Sequence, residues 1–185
     1  MLDFACGTGR VLGCLENFVD SAVGVDVSDS MLAEAKKKLK RTELIQTDIT
    51  TENVLYGRKF DLITAFRFFL NAEPKLRHAA LKSLSPLLKE DGYLVFNNHR
   101  NQTSPLTRFK YGRCHRQRNF MSIEEMYTLA GMIGLEIVKI YPIGFLPLPK
   151  VKLPALFNNM IDNIGARFES LHRFSESPIA VCRFA

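Results

Sequence analysis

Cysteine is scarce and unpaired in this chain of 185 residues: Cys6, Cys14, Cys114 and Cys182 form no CxxC pair, and no histidine stands at ligand spacing from them. That argues against a zinc site and against a disulfide framework. No metal is expected, and a reducing compartment, the cytoplasm, suits the chain best. No window approaches 18 uninterrupted apolar residues, and the start lacks a basic stretch followed by an apolar one, so neither a membrane span nor an export signal is expected. Internal repeats and low-complexity tracts are missing as well, which leaves out solenoids and fibres.

Acidic residues are absent from one stretch in particular. Between His99 and Arg118 lie Arg100, Arg108, Lys110, Arg113, Arg116 and Arg118 with no Asp or Glu, while the rest of the chain balances, so the whole formal charge of +6 is local. A basic protein raises the idea of a polyanionic partner; here that question narrows to twenty residues. What the chain has in quantity is apolar surface, 46% hydrophobic residues against 24% charged, enough for a real core and for one globular domain over residues 1–185.

Short apolar runs alternate with helical patterns, the layout of a parallel sheet flanked by helices. Strands are expected at Met1–Ala5, Ala22–Val27, Leu44–Gln46, Phe60–Phe66, Tyr93–Asn97, Glu136–Tyr141 and Ile179–Phe184. Helices are expected over about 10–17, 30–40 and 74–88, and from Ser122 to Met132, where Ser122 and Glu125 resemble a capping box. Asp91-Gly92 should turn the chain into strand five. In the basic segment, Arg108, Lys110, Arg113, Arg116 and Arg118 alternate with Phe109, Tyr111 and Cys114, a period of two compatible with a hairpin with one charged face. Four prolines between Pro142 and Pro154 call for an ordered loop or lid, because proline removes ladder donors.

The strongest chemical signal is Leu2-Asp3-Phe4-Ala5-Cys6-Gly7-Thr8-Gly9-Arg10, a strand that runs into a glycine turn and opens a helix. Glycines permit positive φ and close approach of a ligand, and the helix start offers free N–H groups. A dinucleotide turn would carry a third glycine where Leu12 stands, so that ligand is not supported. The motif resembles that of class I S-adenosylmethionine-dependent methyltransferases, in which an acidic residue precedes a small-Cys-Gly-Thr-Gly turn, here Asp3 and Ala5 to Gly9. The resemblance continues in order through Val23-Gly24-Val25-Asp26-Val27-Ser28, Thr47-Asp48-Ile49, Phe60-Asp61-Leu62-Ile63-Thr64-Ala65-Phe66-Arg67 and Leu87 to Phe96.

The resemblance implies a Rossmann-like α/β sandwich, a seven-stranded sheet of order 3-2-1-4-5-7-6 with the last strand antiparallel, and S-adenosylmethionine as methyl donor. It implies cofactor binding by Asp3, Ala5, Cys6, Gly7, Thr8, Gly9, Asp26, Val27, Met31, Asp48, Ile49, Ala65, Phe66 and Arg67. Within that set, Asp26 would hold the ribose hydroxyls, Asp48 and Ile49 the adenine, and Asp3 would order the glycine turn. Each has a plainer reading: Asp26 and Asp48 as turn or cap residues, Met31 as core. Cys6 is set aside as a nucleophile because no histidine is placed beside it.

Methyl transfer from a sulfonium is an in-line displacement, so positioning supplies most of the acceleration and a base is needed only where the acceptor must lose a proton. Arg67, Asn71, Asn97, Asn98 and His99 lie at the ends of strands four and five. His99 and Arg67 are the candidate catalytic residues, with a structural histidine as the alternative for the first. Phe66, Phe68 and Phe69 could wall the methyl site.

The family places acceptor elements before strand one and after strands four and five. This chain begins inside strand one, which is expected to mean an incomplete chain or an unusually open site. The acceptor-side insertion is about 99–120, and the Pro-rich lid or loop about 142–157. The acceptor is expected to be a small molecule, with O- or N-methylation favoured. The basic segment reads as a solvated face, as a clamp for an anionic acceptor or, with least support, as a nucleic-acid surface. The rivals are an RNA or DNA methyltransferase and a non-catalytic cofactor-binding protein.

Overall fold

The computed structural model describes residues 1–112, 120–145 and 155–185. Its strands are β1 (Leu2–Phe4), β2 (Ala22–Asp26), β3 (Thr42–Gln46), β4 (Phe60–Ala65), β5 (Leu88–Asn97), β6 (Leu135–Tyr141) and β7 (Ile179–Phe184). They form one sheet of order β3-β2-β1-β4-β5-β7-β6. The first five are parallel, and β7 runs antiparallel to both β5 and β6. This is the expected order and the expected lone reversal.

The helices are α1 (Arg10–Leu15), α2 (Asp29–Lys36), α3 (Pro74–Leu84), α4 (Pro105–Tyr111), α5 (Ile123–Gly131), α6 (Ala155–Ala166) and α7 (Glu169–His172). Alternation along β1 and β2 decides which cover which face. Leu2, Phe4, Val23 and Val25 point into a large core shared with Ala80, Leu81 and Leu84 of α3 and Met126, Leu129 and Ala130 of α5. Met1 and Ala22 point the other way, onto Leu12 of α1 and Leu32 and Ala35 of α2. Both faces of the parallel strands are covered, as such strands require.

Local chemistry sets the ends of the elements. Ser28 caps α2 by accepting from the Met31 N–H, and Ser122 and Glu125 complete both bonds of the capping box on α5. Buried Glu16 accepts hydrogen bonds from the backbone N–H groups of Arg41 and Lys40 and from the Thr42 hydroxyl, which ties α1 to the entry of β3. Those bonds hold its carboxyl below the usual glutamate range.

Four expectations are corrected. The turn at Asp91-Gly92 is instead an irregularity within β5, which already pairs with β4 at Leu88 before the register shifts. The helix from Pro74 stops at Leu84 and tightens into a 3-10 turn, Ser85–Leu87, because Pro86 cannot donate the next helical bond. The basic hairpin is a helix where it is described: Pro105 opens α4, whose buried face carries Leu106 and Thr107. Of the Pro-rich stretch, residues 146–154 lie outside the described residues, as do 113–119 of the basic segment, and Ala155 to Phe157 open α6 rather than extend a loop.

Gly24 of β2 makes the contact between α1 and the sheet possible. A Cβ there would lie 2.7 Å from Leu12 Cδ1, 2.9 Å from Leu44 Cδ2 and 3.0 Å from Cys6 Sγ. Gly24→Ala should therefore lower the stability by about 1–3 kcal/mol, the usual cost of overpacking a filled interior. The midpoint of urea unfolding reports it, and an unchanged midpoint would contradict the packing described.

Candidate active site

Among the described residues three non-glycine residues have left-handed backbones, each within three residues of the carboxyl end of a central strand: Ala5 (φ 54°) after β1, Arg67 (φ 63°) after β4 and Arg100 (φ 84°) after β5. Such conformations are costly outside glycine and persist where the surroundings enforce them. They lie on the edge where open α/β sheets bind ligands. A cleft of about 710 Å³ opens there, within the range of small-molecule sites. It is lined by Asp3, Ala5, Cys6, Gly7, Thr8, Arg10, Val11, Met31, Phe66, Arg67, Phe68, Asn71, Ala72 and Leu76.

The glycine turn forms its floor. Cys6 N–H donates to the Val25 carbonyl and Gly9 N–H to the Cys6 carbonyl, with Gly7 and Gly9 at φ 53° and 69°. Gly9 is packed from behind, where a Cβ would lie 2.7 Å from Leu39 Cδ1 and 3.1 Å from Ala35 Cβ of α2, whereas nothing approaches within 4 Å of the corresponding point on Gly7. One glycine lets the turn seat on α2, and the other leaves backbone open to a ligand.

The role of ordering the turn, expected of Asp3, falls to the other carboxylate. Asp26, not Asp3, orders the turn: its Oδ2 accepts from Gly7 N–H at 2.8 Å and its Oδ1 from Ser28 N–H at 2.9 Å. A carboxylate has about four lone-pair positions, so each oxygen of Asp26 retains capacity for a ribose hydroxyl. Asp3 is 2% exposed. Its Oδ1 accepts from the Thr64 hydroxyl at 2.6 Å, while its Oδ2 is buried without a partner. Burial pushes this carboxyl up to about 7, against the opposing pull of the Thr64 bond and with a further push from the Asp26 charge.

The cleft thus brings together Asp3, Ala5, Cys6, Gly7, Thr8, Met31, Phe66 and Arg67 of the expected set. Met31 is 46% exposed, which removes the core reading. Asp26 reaches the floor through Gly7, Val27 beside it is exposed, and Ala65 is buried where β4 ends. Asp48 forms a local turn, its Oδ1 accepting from the N–H and hydroxyl of Thr50. Ile49 is buried in the large core and borders a different cleft with Tyr56 and Pro86. Cys6 is no nucleophile, since burial and the charges of Asp3 and Asp26 push its thiol up to about 12.

His99 stands outside the cleft lining, its Nδ1 2.5 Å from Ser177 Oγ. Burial, opposed by the Glu176 charge and assisted by Arg100, Arg67 and Lys110, holds its pKa below the ordinary value, which favours the neutral imidazole. Arg67 is fixed on both sides of its backbone: its N–H donates to Asn97 Oδ1 at 2.7 Å, and its carbonyl accepts from Asn71 Nδ2 at 2.6 Å. Phe68 packs edge-on to Phe4 and Phe69, and Phe69 is fully buried. Arg10, Val11, Ala72 and Leu76 went unread in the sequence. For Arg10 and Val11 the signal is their place in the first turn after the glycines.

The cleft fits a cationic nucleoside ligand: open backbone at Gly7, a carboxylate with free lone pairs at the end of β2 and a buried carboxyl oxygen lacking a partner. Comparison with known proteins agrees. A family model described as a methyltransferase domain matches residues 1–92. Thiocyanate methyltransferase 1 of Arabidopsis thaliana is 33% identical over 96 residues, 49% of this chain and 41% of that protein. The chain spans about two fifths of the length of the curated relatives it matches.

Among solved structures, an S-adenosylmethionine-dependent methyltransferase of Thermotoga maritima, described as a possible histamine N-methyltransferase, superposes with a TM-score of 0.71 at 18% identity, covering 100% of this chain and 81% of that one. Magnesium protoporphyrin IX methyltransferase of Synechocystis PCC 6803, solved with bound S-adenosylhomocysteine, gives 0.69 at 14% identity, covering 100% and 73%. At such identities these two establish the fold. From the family match, the related sequences and the sheet order together, the chain belongs to the class I S-adenosylmethionine-dependent methyltransferases, whose methyl donor is S-adenosylmethionine.

Proposed function

We propose that this chain binds S-adenosylmethionine in the cleft at the ends of β1, β2 and β4 and catalyses transfer of its methyl group to a small-molecule acceptor. The observation that carries this reading is the pairing of a glycine turn held by Asp26 with a buried, half-partnered Asp3 on the wall of the same cleft. When bound, the cofactor supplies an electrophilic methyl on a sulfonium, already a good leaving group. The chain's part is then to bind, to align and to exclude water. Asp26 would hold the ribose, Asp48 the adenine amine through the lone pairs its local turn leaves free, and Met31 the adenosine from the side. Phe66 and Phe68 would wall the methyl site.

An anionic acceptor is favoured. Arg10 and Arg67 both line the cleft and have no acidic partner among the described residues, and thiocyanate, the anion named for one relative, has this character. Oxygen and nitrogen remain the favoured methylated atoms. An acceptor that arrives as an anion needs no base; for one that must lose a proton we assign that role to the neutral imidazole of His99. The nucleic-acid reading loses ground, because Lys110 pairs with Glu176 and the Arg100 guanidinium stacks on Tyr111 and Phe120. We place the protein in the cytoplasm on the strength of its free, buried Cys6 and Cys182; among the described residues no helix is long and apolar enough to cross a membrane.

Titration calorimetry with S-adenosylhomocysteine should show micromolar binding, and Asp26→Ala should weaken it by about 2 kcal/mol, the scale of a hydrogen bond to a charged group. Absence of heat would end the cofactor reading. Methyl-labelled S-adenosylmethionine incubated with a panel of small anions, amines and alcohols should label the anions first. Transfer confined to neutral amines would refute the acceptor assignment.

A further inference from the structure

Asp3 and Thr64 are partners in the parallel pairing of β1 with β4, and both side chains are buried, at 2% and 3% exposure. The Thr64 hydroxyl lies 2.6 Å from Asp3 Oδ1 and 3.4 Å from the Leu2 carbonyl, so its single proton goes to the carboxyl group. That leaves Oδ2 buried and without a partner on the wall of the cleft. A buried carboxylate lacking a counter-charge is costly, and the group keeps a proton instead. The ligand proposed for this cleft brings an α-ammonium group.

We propose that Thr64 is a positioning residue for the cofactor: it fixes one oxygen of Asp3 so that the other receives the ammonium group, and binding thereby releases a proton from Asp3. This rests on the cofactor reading above. The exchange balances without any further reactant. Asp3 gives its proton to solvent, the resulting carboxylate pairs with the ammonium, and no covalent bond of the cofactor changes.

The ionisable groups around Asp3 are few. Asp26 faces it from β2 and Cys6 from the glycine turn, the first raising its pKa and the second neutral; β4 presents only the hydroxyl of Thr64, and Arg10 of α1 and Arg67 after β4 share the cleft. The sign of the pH dependence follows. With the carboxyl raised to about 7, the apo form is protonated below that pH and must lose its proton to bind. Affinity therefore falls as pH drops through the midpoint, up to about tenfold per unit, and is flat above it.

Calorimetric Kd values for S-adenosylhomocysteine from about pH 5 to about pH 8.5 test this, spanning the carboxyl midpoint. The parent should lose affinity below about pH 7, and at neutral pH its binding heat should change with the ionisation enthalpy of the buffer. Thr64→Val removes the bond that favours the carboxylate, so its midpoint should rise by about one unit, the scale of a hydrogen bond to a charged group. Thr64→Ser should restore the parental profile. Asp3→Asn should bind more weakly at pH 8 with a flat profile, and 5′-methylthioadenosine, which lacks the ammonium group, should bind with no pH dependence in this range.

A flat profile in the parent, or an unmoved midpoint in Thr64→Val, overturns the coupling while leaving the cofactor reading intact. A parent that binds no S-adenosylhomocysteine at any pH removes both.

Discussion

The carboxylate of Asp26 joins three parts of the chain at one point. It ends β2, receives the N–H of Gly7 from the turn after β1, and receives the N–H of Ser28, which caps α2. Bonds of this kind, from backbone N–H to an ionised acceptor, are short and strong. Because the turn can take its shape only with Gly7 and Gly9 at positive φ, it has no intrinsic reason to stay folded in one form, and Asp26 supplies one. The position of α1, the seat of Gly9 on α2 and the open backbone at Gly7 all follow from that tie.

The segment that follows β5 is built differently. Asn97, Asn98, Asn101, Ser104 and Thr107 are all buried, and Asn101 alone gathers the carbonyls of Arg173 and Ser175 and the Thr103 N–H and hydroxyl. Asn98 Oδ1, Arg100 Nε, Ser104 Oγ and Thr107 Oγ1 are buried without partners. A polar interior depends on geometry in a way that an apolar core does not, since each unsatisfied group costs about 1–3 kcal/mol. Order held by hydrogen bonds from backbone N–H groups to carboxylates around the glycine turn and a polar, incompletely satisfied interior after β5 divide the molecule.

This division also decides what was legible in the sequence. The strands were readable because their apolar runs are buried on both faces, Leu2, Val23 and Val25 on one and Met1 and Ala22 on the other, and their order was legible only through the resemblance of the motifs. Helix α4 was not, because its inner face is Leu106 and Thr107 following Ser104 rather than an apolar stripe, and the charges between its aromatics imitate a period of two. The cleft's glycine turn was readable from spacing. That Asp26 rather than Asp3 orders the turn was not, since Asp3 is engaged by Thr64, and register between β1 and β4 across some sixty intervening residues leaves no mark in local pattern. Nor does local pattern show that the Ile49 side chain is buried in the large core.

The sheet order has a consequence for how the molecule is made. β6 has one neighbour, β7, which lies between it and β5 although it comes later in the chain. During synthesis the first five strands can zip together as they emerge, each beside one already present. β6 cannot follow them: until residues 179–184 have inserted against β5, its hydrogen-bonding edge and the apolar residues beneath α5 have nothing to join. Completion of the sheet is therefore a single late event of long sequence separation, the kind of step that folds slowly and exposes strand edges meanwhile.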